Sequence, residues 1–588
     1  MRWLFLSLTF ALSVSLADAL ELKIDSPKTG EAIHQALNTI AAAPEGSGPH
    51  RLLLGPCTYR LQRPLTLGAA HAQLTIVAET PGTVVISGGI DVVDWTVSES
   101  GIWEAAWEAE SHGAPTELFA ENDRRTRART PNAGYFRVAE TAEDRRTGFT
   151  WEASEAWVAP LEPTTTELVF LHDWSISRVP LRSLEAKTRS LAVQAPIGCS
   201  ADHYAIDHFE KHPRFFLEGD VAFLDAAGEW AWDVEGSQLL YRPHPGETPD
   251  TFSATVPVLD KLLTVRGDAA SRVNGLRFEG LSFRHVKWAI PPGGYAEGQA
   301  GIHEIRPELK SAPDAWKGAG REMVPAAMTV EWADDVVFEN CHFASFGGSG
   351  LWFGEGCRGG QVLRSHVEDV SANGLMIGAI RDEEDASRIA TDMRIEDCLV
   401  ERCGARFFGG VGIWAGFTRD SQIAWNEVRD LPYTGISAGW RWNPTPTAAR
   451  GITIERNHIH TVMQKLSDGA GIYTLGFHPD SVIRGNRIHG VPLNAGRAGS
   501  NGIFMDQGSK GFLVTDNLIY EIATSPIRFN QASTNVIRGN GVTTRDDIPV
   551  LKITSNTRKE DITDADNRVL DPVALEKQID GWKAGRRP

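Results

Sequence analysis

The sequence predicts an all-β fold: a parallel β-helix, an antiparallel β-sandwich or barrel inserted near its start, and a short N-terminal capping helix. Three observations carry that reading. The first is a unit written twice between Asn457 and Asn517, as NHIHTVMQKLSDGAGIYTLG with SVIRGNRIHG, then NGIFMDQGS with FLVTDNLIY. The second is a polar or small residue before an apolar pair, recurring at Gly280, Asn340, Ser365, Asp397, Asn426, Asn457, Asn486, Asn517 and Asn540. After a first gap of 60 residues the intervals are 25, 32, 29, 31, 29, 31 and 23, a period of stacked coils. The third is a second strand within each unit: Gly350-Leu-Trp352, Gly374-Leu-Met376, Gly412-Ile-Trp414, Gly435-Ile-Ser437, Gly471-Ile-Tyr473, Gly502-Ile-Phe504 and Pro526-Ile-Arg528.

From the N-terminus, residues 1–19 have the pattern of a secretory leader: Arg2, an apolar run from Trp3 to Leu16, then Ala17-Asp18-Ala19 as a small-x-small cleavage site. An exported protein, secreted or periplasmic, is the expectation. No later stretch is apolar for long enough to span a bilayer. In residues 20–90, TGEAIHQALNTIAA places Ile33, Ala36, Leu37 and Ile40 at helical spacing behind a Thr29 cap. Such a helix suits a plug over the open end of a solenoid, whose terminal coil otherwise exposes an apolar cross-section. The strand-like runs up to Gly88-Gly89 are the first coils.

Residues 91–259 break the period. Trp95, Trp103 and Trp107 mark short strands, and alternating segments separated by Gly, Pro and Asp predict the inserted antiparallel domain. Its cluster Arg124, Arg125, Arg127 and Arg129 suits an ion-paired or solvated surface better than a substrate clamp. Residues 260–560 form the main solenoid, interrupted from Trp288 to Pro325 by a further insertion, and residues 561–588 a C-terminal tail or cap. The recurrent Asn fits a left-handed bend with amides stacked from coil to coil.

Composition narrows function. The chain has 58 Lys and Arg against 76 Asp and Glu, a net charge of −18, which opposes nucleic-acid binding. Eighteen tryptophans suit stacking on sugars as well as a core. Six scattered cysteines are not a disulfide scaffold, although Cys398 and Cys403 have a loop-like spacing that would allow a bridge. The RDEED run at residues 381–385 lacks the spaced oxygen ligands of a calcium loop, and neither metal nor cofactor is expected.

Side chains alternate across a strand, so the residue after each aliphatic points outward. This gives an outer column of Trp352, Met376, Trp414, Ser437, Tyr473, Phe504 and Arg528, either a sugar-stacking groove or a stripe covered by other segments. Glycosidic cleavage needs two carboxyls. Asp506 shares the outward face of Phe504; Asp468 reaches that face only if the chain bends at Gly469-Ala470-Gly471. Trp414, Trp440, Trp442, Tyr473, His478, Phe504, Asp430 and Glu401 are the candidate substrate-binding residues around the pair.

The segments LFAENDRRTRARTPN, FFLEGDVAFLDAAGEWAWD, LPYTGISAGWRW, SDGAGIYTLG and NGIFMDQGS together resemble the right-handed parallel β-helix glycosidases of glycoside hydrolase family 141, in order and over most of the chain after Gly88. The resemblance implies α-L-fucosidase or xylanase activity and a pair of active-site aspartates at Asp468 and Asp506. DGAG replaces a fuller glycine run, and Phe504 stands where the resemblance implies Tyr. The expectation is a monomeric glycoside hydrolase, foremost an α-L-fucosidase acting on complex polysaccharide, with Asp468 as the acid because Leu466, Gly469 and Ala470 surround it with apolar bulk. A xylanase, a polysaccharide lyase and a non-catalytic glycan-binding solenoid are the alternatives.

Overall fold

The computed structural model describes residues 19–25, 28–44, 46–121, 123–152, 165–306, 320–494 and 496–585. The expected leader, apart from Ala19, lies outside them. Three parallel sheets wrap into a solenoid, with thirteen strands in sheet A, eleven in sheet C and twelve in sheet B between them among the described residues. Each coil runs A, B, C, and one continuous apolar core fills the interior from Leu22 to Ile562.

The A-to-B corner explains the repeat. One residue there adopts the left-handed conformation: Gly280, Asn340, Arg364, Asp397, Trp425, Arg456, Gly485, Asp516 and Gly539. The next residue turns inward. From Asn426 on, that inward residue is an asparagine whose Oδ1 accepts the backbone N–H of the coil before, as in Asn426 N to Asn457 Oδ1, Asn457 N to Asn486 Oδ1 and Asn486 N to Asn517 Oδ1, each 3.0 Å. Each amide also donates to a backbone carbonyl, as Asn457 Nδ2 does to Ile423 O at 2.9 Å. The sequence pattern merged two positions: the bend belongs to the residue before the asparagine, and the asparagine is the buried rung.

The N-terminal helix Gly30–Ala41 is capped by Thr29, whose Oγ1 accepts from Ala32 N, and buries Ile33, Ala36, Leu37 and Ile40 in the solenoid core. The C-terminal helix Pro572–Ala584 lies back along the outside of the solenoid, where Trp582 Nε1 donates to Gly485 O at 2.7 Å. Cys398 and Cys403 do not bridge. Cys398 immediately precedes the extended strand Leu399–Cys403, which holds the two thiols apart, and each is buried against a backbone carbonyl.

Both insertions leave at the B-to-C corner. The first departs after the sheet B strand Val84–Ser87 and returns at the sheet C strand Leu263–Arg266; the second departs after Leu281–Val286 and returns at Ala326–Glu331. The first contains a closed six-stranded antiparallel barrel, in the order Phe136–Thr141, Gly148–Trp151, Ser190–Val193, Ile176–Glu185, Glu167–Leu171 and Arg214–Glu218. Trp95, Trp103 and Trp107 form a separate core with Trp230, Tyr241 and Phe252 beside it. The second insertion adds its strand Tyr295–Gln299 to the barrel through Ser177 and Ala296, so the two insertions form one wall.

That wall is fixed to the solenoid by buried ions. Arg178 pairs with Glu218 and Glu167, Arg406 with Glu117 and Glu167, and Arg124 with Asp369 at 2.8 Å. The arginine cluster is therefore structural: Arg125 pairs with Glu247, Arg127 with Glu167, and Arg129 stacks on Phe216. Removing one partner of such a network leaves an uncompensated buried charge, typically costing about 3–5 kcal/mol.

Candidate active site

The register of sheet C sets the outer column. Trp352, Met376, Trp414, Ser437, Tyr473, Phe504 and Arg528 are successive cross-strand partners. The column is not an open groove. Met376, Trp414 and Phe504 are wholly buried, and a second layer lies over them. Trp440 packs edge-on to Trp414 at 5.6 Å, Trp442 to Trp440 at 4.8 Å, and the Arg528 guanidinium sits 4.3 Å over the Phe504 ring.

A cavity of about 640 Å³ opens where this layer meets the inserted wall. The solenoid contributes Trp440, Trp442, Asp468, Tyr473, Asp506 and Asn530. The first insertion adds Trp174, His203 and Phe209, and the second Gln299 and Arg321. Asp468, Asp506, Tyr473, Trp440 and Trp442 are thus brought together. Trp414 and Phe504 lie beneath the cavity as packing, and His478 is buried behind it, stacked on Phe512.

Two candidates fall elsewhere. Glu401 is on sheet B, where it pairs with His366, Arg402 and Arg429. Asp430 takes the left-handed conformation at the end of a sheet B strand and lines a different surface hollow beside Arg402 and Thr461. Linear proximity to Tyr433 and Gly435 misled here, because one residue past a strand end already belongs to another face of the coil.

Asp468 reaches the cavity because its own backbone bends, with φ at +55°. The bend sits one residue ahead of the small-residue run. Gly469 is required by crowding: a Cβ there would meet Thr434 Oγ1 at 2.5 Å and the Tyr433 ring at 2.7 Å. The Tyr433 hydroxyl donates to Asp468 O at 3.1 Å, and Arg528 Nη1 donates to Asp468 Oδ1 at 3.0 Å. Asp506 follows the strand Asn501–Met505, and among the described residues its carboxylate is hydrogen-bonded by neutral groups. Its Oδ2 accepts from the Tyr473 hydroxyl at 2.5 Å and its Oδ1 from Asn530 Nδ2 at 2.7 Å.

The two carboxyls therefore differ. Burial, reinforced by the charge of Asp468, pushes Asp506 up to about 6. Burial also raises Asp468, but Arg528 opposes the shift with its charge and its hydrogen bond. Behind them, the buried Asp173 of the inserted barrel is pushed up to about 7 by burial and by the charge of Asp468. Asp173 anchors the barrel here, accepting from Ser467 N at 2.7 Å through its backbone oxygen and from Ala498 N at 3.3 Å through Oδ2.

The sequence reading missed Asp173, Trp174, Gln299 and Asn530. Asn530 was accessible to it, since it lies two residues after Arg528 on the same strand face. The others come from the insertions, and no local period points to them.

No family model matches the chain, and no curated protein sequence matches it. Among solved structures it is similar to one described as "Glycoside hydrolase", with a TM-score of 0.74 and 21% identity over 96% of this chain and 98% of the other. At that identity the likeness establishes the shared architecture of β-helix and insertions. Weaker likenesses, to the complex of XylC with xylose (TM-score 0.43, 10% identity, 89% and 82% coverage) and to DFA-IIIase from Arthrobacter chlorophenolicus A6 in complex with GF2 (TM-score 0.41, 10% identity, 95% and 97% coverage), carry no argument.

Proposed function

We propose that this protein is a glycoside hydrolase that cleaves glycosidic bonds in complex polysaccharide, an α-L-fucosidase on fucose-containing glycans. The observation that carries the hydrolase reading is the pair of carboxyls in one aromatic-walled cavity, one hydrogen-bonded to a guanidinium and the other to a phenol and an amide. The fucose specificity rests on the sequence resemblance, and export rests on the N-terminal pattern.

With these partners, the proposed roles are opposite to those expected from the sequence. Asp506, uncharged below about pH 6, is the general acid: its proton passes to the glycosidic oxygen as the bond to the anomeric carbon breaks. Asp468, whose ionised form Arg528 favours through its charge and hydrogen bond against the effect of burial, attacks that carbon or takes a proton from the water that does. Trp440, Trp442 and Trp174 line the cavity and supply the aromatic surface against which a sugar would pack.

The test is hydrolysis of aryl α-L-fucosides and fucosylated oligosaccharides by Asp468→Asn and Asp506→Asn. Each variant loses about 10²–10⁴-fold in turnover. Near-normal rates remove that residue from the reaction. Cleavage of xylosides alone keeps the hydrolase and overturns the sugar; unsaturated products absorbing in the ultraviolet favour a lyase; binding without release favours a glycan-binding solenoid.

A further inference from the structure

Sheet B carries a second concentration of chemistry that the proposed hydrolysis does not use. On its outer face the strand Glu427–Arg429 pairs with His458–His460, setting Glu427 opposite His458 and Arg429 opposite His460. The next strand sets His489 opposite His460. Side chains two apart on a strand share a face, so the sequence NHIH delivers both imidazoles to one side and the facing strand supplies the carboxylate.

Glu427 Oε1 lies 3.4 Å from His460 Nε2, and Glu427 Oε2 lies 3.9 Å from His458 Nδ1. Ligands about 2.0–2.2 Å from a tetrahedral zinc ion are separated by about 3.3–3.5 Å. The first gap is both a long hydrogen bond and the spacing of two ligands on one zinc ion, and the three donor atoms all lie within 4.8 Å of one another. The remaining ring nitrogens are already held. His460 Nδ1 is 3.1 Å from Thr461 Oγ1, and His458 Nε2 is 2.9 Å from His489 Nε2, while His489 Nδ1 faces Glu521 at 3.6 Å. A proton on His458 Nε2 and another on His489 Nδ1 would satisfy that chain and turn the His458 Nδ1 lone pair to the side of Glu427, the outer-shell arrangement that orients metal-binding histidines.

We propose that Glu427 (through its carboxylate), His458 (through Nδ1) and His460 (through Nε2) form a divalent-metal site suited to zinc on sheet B, separate from the candidate catalytic cavity. Trp582 of the C-terminal helix packs over His458 at 5.6 Å, so a metal here ties that helix to the coils beneath it. Two guanidinium groups stand nearby. Arg429 lies 3.7 Å from Glu427 but gives Nη2 to Glu401 at 2.6 Å, and Arg487 is turned to the Tyr520 hydroxyl.

A neighbouring cluster on the same sheet shows what a metal-free version looks like. His342 Nε2 is 2.8 Å from Glu368 Oε1, and its Nδ1 is 3.1 Å from Arg284 Nη2, so both ring nitrogens are consumed by direct hydrogen bonds. The third member of that cluster, His366, turns its Nε2 to Glu401 at 3.1 Å.

The test uses the full-length protein stripped with a chelator and titrated with Co²⁺, followed by Zn²⁺ in a calorimeter. One equivalent of Co²⁺ with the intense visible bands of a four-coordinate site is expected, displaced by one equivalent of Zn²⁺. His460→Ala and Glu427→Gln each weaken binding at least tenfold. His489→Ala weakens it 10–100-fold by releasing the His458 ring. His342→Ala leaves it unchanged. Thermal melting of each metal-free variant separates lost ligation from lost fold, and Glu427→Gln keeps the side-chain size. Absence of the visible bands, wild-type affinity in either His460→Ala or Glu427→Gln, or loss of binding in His342→Ala overturns the proposal.

Discussion

Tyr473 donates its hydroxyl proton to Oδ2 of Asp506 at 2.5 Å, across two adjacent coils of sheet C. The cross-strand partner of Tyr473 is Phe504, whose ring meets the phenol edge-on at 5.4 Å. That bond stabilises the ionised form of Asp506, opposing the effect of burial.

A pH profile follows from this balance. Asp506 must hold its proton to act as an acid, and its pKa is about 6, so turnover falls as pH rises through about 6. Tyr473→Phe removes a bond that favours the ionised form, which moves this limb to higher pH. Initial rates across pH 4–9 for wild type and Tyr473→Phe check both statements; an unmoved limb rejects Asp506 as the titrating acid.

The same group makes stability depend on pH with a definite sign. The folded pKa is raised above the unfolded one, so the native state binds the extra proton. This contribution is fully present below about pH 4 and is lost as pH rises through about 6, for a total of ~2–3 kcal/mol. Urea titrations at pH 4 and pH 8 should therefore differ less by about that amount in Asp506→Asn than in wild type.

Arg528 acts on the other carboxyl. Without the guanidinium that donates to Oδ1 at 3.0 Å, Asp468 takes up a proton more readily. Arg528→Gln is expected to move the acidic limb of the rate profile upward and to lower turnover at pH 5 more than at pH 7. Equal losses at both pH values would mean that Arg528 serves only to pack Phe504.

Glu401 and Asp430 lie on sheet B, away from the cavity. Glu401→Gln and Asp430→Asn should keep kcat/KM within about twofold of wild type on any substrate the protein cleaves. A large loss in either variant would place the reacting groups on the wrong sheet.

The asparagine rungs carry stability. Asn457→Ala strands the Asn426 N–H and side-chain amide that share Asn457 Oδ1, and the Ile423 carbonyl. Buried groups without partners cost about 1–3 kcal/mol each. A loss of ~2–5 kcal/mol in urea unfolding, with far-UV signal retained at zero denaturant, is the expected outcome.

The coil period, the capping helix and the register of the outer column were all readable from the residues, because a solenoid coil packs only on its neighbours and so repeats its demands at short range. Thus Trp414, Ser437 and Tyr473 had to be cross-strand partners once the glycine-aliphatic pairs were aligned. Whether that column faced a substrate was decided elsewhere. Trp440 and Trp442 fold back over Trp414, and the wall opposite them comes from Trp174, His203 and Phe209 of the first insertion and Gln299 and Arg321 of the second, which leave the solenoid at one corner many coils away. The proton affinities of the two aspartates were equally non-local. Asp468 meets Arg528 across 60 residues, and Asp173 approaches from the inserted barrel. Alternation along a strand assigns a carboxyl to a face; burial and charge from distant segments set its chemistry.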